Sequence, residues 1–129
     1  MTRVELPWPS SALSPNARGH WSIVAKAKAA YRKAAWAICI ANGLGKLDVS
    51  SLHLTLTFCP PCKRRRDADN LLASMKAGID GIADATGIDD STYTITLARG
   101  PVRKGGAVLA DITTTNETSR DGGDTPARL

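Results

Sequence analysis

The chain has 129 residues, 43% of them hydrophobic, which is enough for one domain with a single core and excludes wholesale disorder. A net charge of +5 favours an anionic partner, nucleic acid first among them. Three cysteines, an odd number, argue against a disulfide framework; with no membrane-length apolar run and no signal-peptide pattern, they suggest a cytoplasmic protein with no membrane anchor.

In chain order, Arg3 to Leu6 is a short strand stopped by Pro7-Trp8-Pro9. Ser10 to Gly19 reads as a loop; Asn16 and Arg18 within it, and His20 just after it, could face a ligand. Ser22 has the character of an N-cap for a helix running to about Ala41, with Ile23, Ala27, Ala30, Tyr31, Ala34 and Ile38 on its apolar face. Asn42-Gly43 stops it. Ser51 to Phe58 alternates cleanly, Leu52, Leu54, Leu56 and Phe58 against His53, Thr55 and Thr57.

The segment from Lys63 to Ser91 carries the chemistry. Four cations, Lys63, Arg64, Arg65 and Arg66, precede Asp67 and Asp69, one of which caps a second helix reaching about Ala85. Leu71, Leu72, Met75, Ile79 and Ile82 form its buried stripe; Asp69, Ala73, Lys76, Asp80 and Asp84 form the other. Over seven residues the helix makes nearly two turns, so Lys76 should lie along the axis from Asp69 and could reach over the same site; the spacing equally allows an ordinary Lys76–Asp80 surface pair.

After Gly87, Asp89-Asp90 forms a turn into a strand from Thr92 to Ala98; a basic turn with Arg103 and Lys104 leads to a last strand, Ala107 to Thr113. These two strands are expected to form an antiparallel hairpin. The order β-α-β-α-β-β predicts an α+β fold, a mixed sheet of about four strands with two helices packed on it. The expected domain is 1–114, followed by a polar, disordered tail at 115–129.

Clustered carboxylates bind hard divalent ions and adjacent arginines bind phosphates, so this segment predicts metal-assisted chemistry on a phosphodiester. D-x-D and D-D alone are weak signals, since acidic residues at helix starts often serve only as caps. Cys59-Pro60-Pro61-Cys62 has the spacing of half a zinc site, but Cys39, His20 and His53 do not supply the other half. Trp8 and Trp21 could stack on bases, packing being the simpler role.

The chain resembles the RusA-type Holliday junction resolvases. The residues that carry the likeness are LPWPSS near the start, RRRDADNLL, KAGID, IDDS and the P-V-x-K-G-G turn before the last strand. The resemblance implies a magnesium-dependent endonuclease, with manganese as a substitute, acting as a homodimer that cuts four-way and other branched DNA by paired symmetric nicks. It implies Asp67, Asp69 and Asp90 as metal ligands, with Asp89 the alternative to Asp90, and Lys76 as the catalytic lysine. Lys76 falls about one turn later than the lysine of the best-known member, and an added turn restores the same helix face. Arg64, Arg65, Arg66, Arg103 and Lys104 would contact phosphates and Asn16 would line the cleft. The rival from another class is a non-catalytic basic DNA-binding module whose aspartates only cap a helix.

Overall fold

The computed structural model describes residues 1–115; the tail expected at 115–129 lies, beyond its first residue, outside the described residues. The chain forms β1 (Thr2–Pro7), α1 (Trp21–Ala41), β2 (Ser51–Cys59), α2 (Ala68–Ser74), α3 (Lys76–Thr86), β3 (Thr94–Arg99) and β4 (Ala107–Thr115), with short 3-10 turns at Ser11–Leu13 and Asp90–Thr92. The fold is α+β, and the sheet is mixed, with four strands ordered β1-β4-β2-β3.

The expected terminal hairpin does not form. β3 runs parallel to β2, with Leu54 opposite Ile95 and Leu56 opposite Leu97. β4 lies antiparallel between β1 and β2. The side chains explain the exchange. In β4 Val108, Ala110 and Ile112 are buried, and so is Asp111, which needs the cation that Arg3 of β1 supplies at 2.6 and 2.9 Å. In β3 Thr94 and Thr96 are exposed and Ile95 and Leu97 only half-buried, a pattern suited to an edge.

One sheet face carries the core. Val4, Leu6, Leu52, Leu54, Leu56, Phe58, Val108 and Ala110 are almost fully buried under the helices. The buried stripe of α1 is rotated from the expected one: Tyr31, Ala35 and Cys39 are buried, whereas Ile23 is 60% exposed. Its start also differs. His20 is the N-cap, its Nδ1 accepting from the Ser22 N–H at 3.2 Å, so Ser22 lies inside the helix. Tyr31 reaches from α1 to donate to Pro7 O at 2.6 Å.

The predicted second helix is two helices that meet at Met75 (φ −96°, ψ 2°). Ser74 Oγ donates back to Leu71 O at 2.6 Å and Met75 N bonds Leu72 O, a tightened turn that separates the two helices. α3 then packs on α1 at Gly81, where a Cβ would collide with Arg32 O. Gly87 ends α3 at φ 75°, a left-handed cap that glycine adopts without strain.

Candidate active site

Beyond β2 the chain turns through Pro60-Pro61 into the arginine loop, which faces the loop between β1 and α1. A cleft of about 930 Å³ opens between them. Arg64, Arg65, Arg66, Asp67, Asn70 and Asn16 are among its walls. Asn16 lines the cleft from the loop between β1 and α1. Gly105 adds a short stretch of wall, and Gly106 (φ 69°) sits so close beneath that a Cβ would meet Trp8 at 2.9 Å.

The three arginines are not equivalent. Arg66 is consumed by its own loop: Nη1 donates to Cys62 O at 2.9 Å and Arg64 O at 2.8 Å, and Nη2 to Cys62 Sγ at 3.3 Å. Its guanidinium also lies 5.3 Å from the centre of the Trp8 ring, and Trp8 packs edge-on against Phe58. Arg99 donates to Arg66 O at 3.0 Å. Arg66 therefore anchors the loop to the core. The side chains of Arg64 and Arg65 are exposed and have no ion-pair partner among the described residues. They are the cations available to an anion in the cleft. Of the other two expected phosphate contacts, Arg103 pairs with Glu5 at 2.9 Å, and Lys104 is exposed on the turn beside the cleft.

The aspartates separate into two groups. Asp67 occupies the N-cap position of α2, yet its side chain makes no capping hydrogen bond, and it faces the cleft. Asp69 is exposed in the first turn, with Oδ1 accepting from Asn70 N at 3.0 Å. Asp90 belongs to a second constellation with Lys76 and Asp80. Lys76 Nζ donates to Asp80 at 2.8 Å and to Asp90 at 2.5 Å. Lys76 opens α3, directly after the break at Met75, and its partners are Asp80 and Asp90. The Lys76 ammonium holds the Asp90 carboxyl below the usual carboxylate range, and the two carboxylates, Asp80 first, raise Lys76 above its ordinary value. Asp89 is spent on a turn, accepting from Ser91 N at 3.1 Å.

Sequence reasoning placed Asp80 only in a surface pair; its signal was the i,i+4 spacing from Lys76 on the stripe that also holds Asp69. Arg32 and Asp84, which join α1 to α3 through bonds of 2.6 and 2.8 Å, had no local signal because they are 52 positions apart. Cys62 lines the cleft, and its thiol is lowered by the Arg64 backbone N–H and then by the Arg66 guanidinium. Cys59 is buried, so the C-x-x-C pair does not present two exposed thiols. Trp8 is packed against the core, whereas Trp21 is 75% exposed.

Asp67, Asp69 and Asp90 are carboxylate donors of the hard type that suits magnesium. Among the described residues no three His, Cys, Asp or Glu side chains converge to hold an ion. Magnesium is commonly held by one or two carboxylates together with substrate phosphates and water, and the uncommitted Asp67 carboxylate beside Arg64 and Arg65 fits that pattern.

No family model matches the chain. An uncharacterised protein of Xylella fastidiosa is 39% identical over 132 residues, an alignment that covers 95% of this chain and 83% of that protein. The chain belongs to the same family as this Xylella fastidiosa protein.

Proposed function

We propose that the protein is a magnesium-dependent endonuclease of RusA type that cuts branched DNA, four-way junctions above all. The observation that carries the reading is Asp67: a carboxylate at a helix N-cap that does not cap, turned into a cleft with unpaired arginines. An aspartate retained for helix stability would bond the N–H groups of the first turn. An exposed carboxylate between cations serves instead to hold a cation that itself meets phosphate.

In this reading Arg64 and Arg65 bind the DNA backbone across the cleft, and Asn16 hydrogen-bonds to it from the opposite wall. Asp67 and Asp69 would hold magnesium, which when bound supplies charge stabilisation to the phosphodiester as it is cleaved. Arg66 fixes the loop through its bonds to Cys62 O and Arg64 O, while Arg64 and Arg65 stay exposed on the cleft wall. Lys76 keeps Asp90 ionised and oriented, and the ammonium and a metal ion are alternative partners for that carboxylate. Manganese meets the same oxygen donors and would substitute.

A basic DNA-binding module without catalysis is the second reading, and the Lys76–Asp90 bond favours it, since it occupies one of the three expected ligands. Manganese titration followed by electron paramagnetic resonance, with junction DNA present, separates the two. The nuclease reading predicts stoichiometric manganese binding that Asp67→Asn and Asp69→Asn weaken while junction affinity is kept. A protein that binds the junction and takes up no manganese would refute it.

A further inference from the structure

The three tryptophans have different settings. Trp8 packs edge-on against Phe58, with the Arg66 guanidinium over its ring. Trp36, on α1, is partly exposed beside Arg32 and Asp84. Trp21 is 75% exposed, more than any other large apolar side chain among the described residues except Met1. Burying an indole is among the largest gains that packing offers a side chain, and here the fold leaves it untaken.

The ring is nevertheless held. His20 Nδ1 accepts from the Ser22 N–H at 3.2 Å and lies 2.7 Å from Ser22 Oγ, which fixes the imidazole at the start of α1. That imidazole lies 5.5 Å from the Trp21 ring, centre to centre, at 32°, within the range of an offset stack. The indole is thus backed by a second ring and open to water over most of its surface.

Its surroundings connect to the cleft. A hollow of about 310 Å³ lies at the start of α1, with Ser11, Ser14, Asn16, Arg18 and Ile23 among its walls. Ser11, Ser14 and Asn16 are also walls of the arginine cleft, so the hollow extends that cleft toward α1. Arg18 is exposed and, like Arg64 and Arg65, has no ion-pair partner among the described residues. Ile23 is exposed too and adds apolar surface two residues on from Trp21. A DNA strand leaving the cleft along this hollow meets a cation for its phosphates, then apolar surface and an indole for its bases.

We infer that Trp21 is a base-stacking residue, which takes a nucleobase unstacked at a branch point and so sets a preference for branched over linear DNA. Trp21 has this role only where the cleft takes DNA, as proposed above. The discrimination follows from what a base must give up. In a linear duplex each base is paired and stacked between neighbours, and reaching an aromatic side chain costs both. A base at a branch point has already lost regular stacking, so the cost falls. Every base has a π-face, so the preference is for DNA structure rather than for one base.

The test is a fluorescence-anisotropy titration of a labelled four-way junction, and of a linear duplex of equal length, with the full chain and no divalent metal, so that nothing is cut. Trp21 is exposed, so its variants should fold, with unchanged circular dichroism. Trp21→Ala should weaken junction binding roughly tenfold, as expected for one lost stacked base, and leave duplex binding unchanged. Trp21→Phe keeps a π-face and should retain most of the junction affinity; Trp21→Leu is apolar without one and should behave as alanine does. Trp21→Ala binding the junction as tightly as the wild type would overturn the inference and leave the ring to a protein partner. Equal losses on junction and duplex, or a leucine variant as good as the phenylalanine one, would overturn it as well. Arg64→Ala separates this failure from that of the cleft. Junction binding weakened by Arg64→Ala and untouched by Trp21→Ala sinks the stacking role alone, whereas a wild type that binds neither DNA sinks the cleft reading and the stacking role together.

Discussion

Replacing Gly81 with alanine tests the packing that sets α3 on α1, and with it the position of Lys76, Asp80 and Arg32. A Cβ at Gly81 would collide with Arg32 O and lie 2.8 Å from the Ala35 Cβ and 3.0 Å from Trp36 N. Two of these neighbours are backbone, which cannot swing away as a side chain end would. Ordinary carbon–oxygen contact is near 3.3 Å or more, so the helices must separate by about 1 Å along that line. Overpacking of this kind costs about 1–3 kcal/mol, and alanine returns up to about 1 kcal/mol of helix propensity. Because two of the neighbours are backbone the upper end of that cost applies, and the net loss should be about 2 kcal/mol, read as a lower urea midpoint with unchanged slope. Gly45→Ala is the control, because nothing lies within 4 Å of a Cβ there and its backbone is not left-handed; it should be neutral or slightly stabilising. Gly81→Ala as stable as the wild type would refute the close approach of α1 and α3.

Lys76→Met should let Asp90 titrate at higher pH, because the ammonium that bonds it is gone; carboxyl-carbon NMR checks this, and an unmoved Asp90 would show that the bond is not made in solution. The sign follows from linkage. Asp90 is depressed in the folded state, so its pair contributes stability above the unfolded carboxylate pKa and loses it as pH falls through the folded value. In the variant that acid loss should shrink, by an amount kept small by solvent exposure. Cys62 should react with iodoacetamide at lower pH than an ordinary thiol, while buried Cys39, pushed up to about 11, stays silent; mass spectrometry after labelling reads both. Arg64→Ala and Arg65→Ala should each lower the salt slope of junction binding by about one. Arg66→Ala should weaken binding with little change in slope, because it loosens the loop rather than removing a phosphate contact. An equal fall in slope for all three would contradict that division.

The α+β class and most element positions were legible because their signals are local. Alternation from Leu52 to Phe58 marks β2, and Gly87 marks the end of α3. Sheet order was not legible, since hairpin proximity suggested β3 beside β4. The burial of Val108, Ala110 and Ile112 and the pairing of Asp111 with Arg3, 108 positions away, suit β4 to the place between β1 and β2. The break at Met75 lay hidden within a continuous apolar pattern, because it arises from a Ser74 hydroxyl that competes for a backbone carbonyl. The shift in the α1 stripe came from the alanines, whose small side chains fit either face and so fix no rotation.

The candidate site was legible in composition and not in division of labour. The run RRRDAD announced cations and carboxylates together, but nothing in three identical letters says that Arg66 would be tied to Cys62 O and Arg64 O. Nor does D-D say which aspartate turns inward. The structure has Asp89 on a turn N–H and Asp90 on Lys76, a distinction made by the 3-10 turn at Asp90–Thr92.

The most direct test of the central proposal is cleavage of a four-way junction, labelled on each strand in turn, with and without magnesium. Paired nicks at symmetric positions on opposed strands, dependent on the metal and lost in Asp67→Asn and Asp69→Asn, are the predicted result. Tight junction binding with no nicks at any magnesium or manganese concentration would contradict it and leave a DNA-binding module.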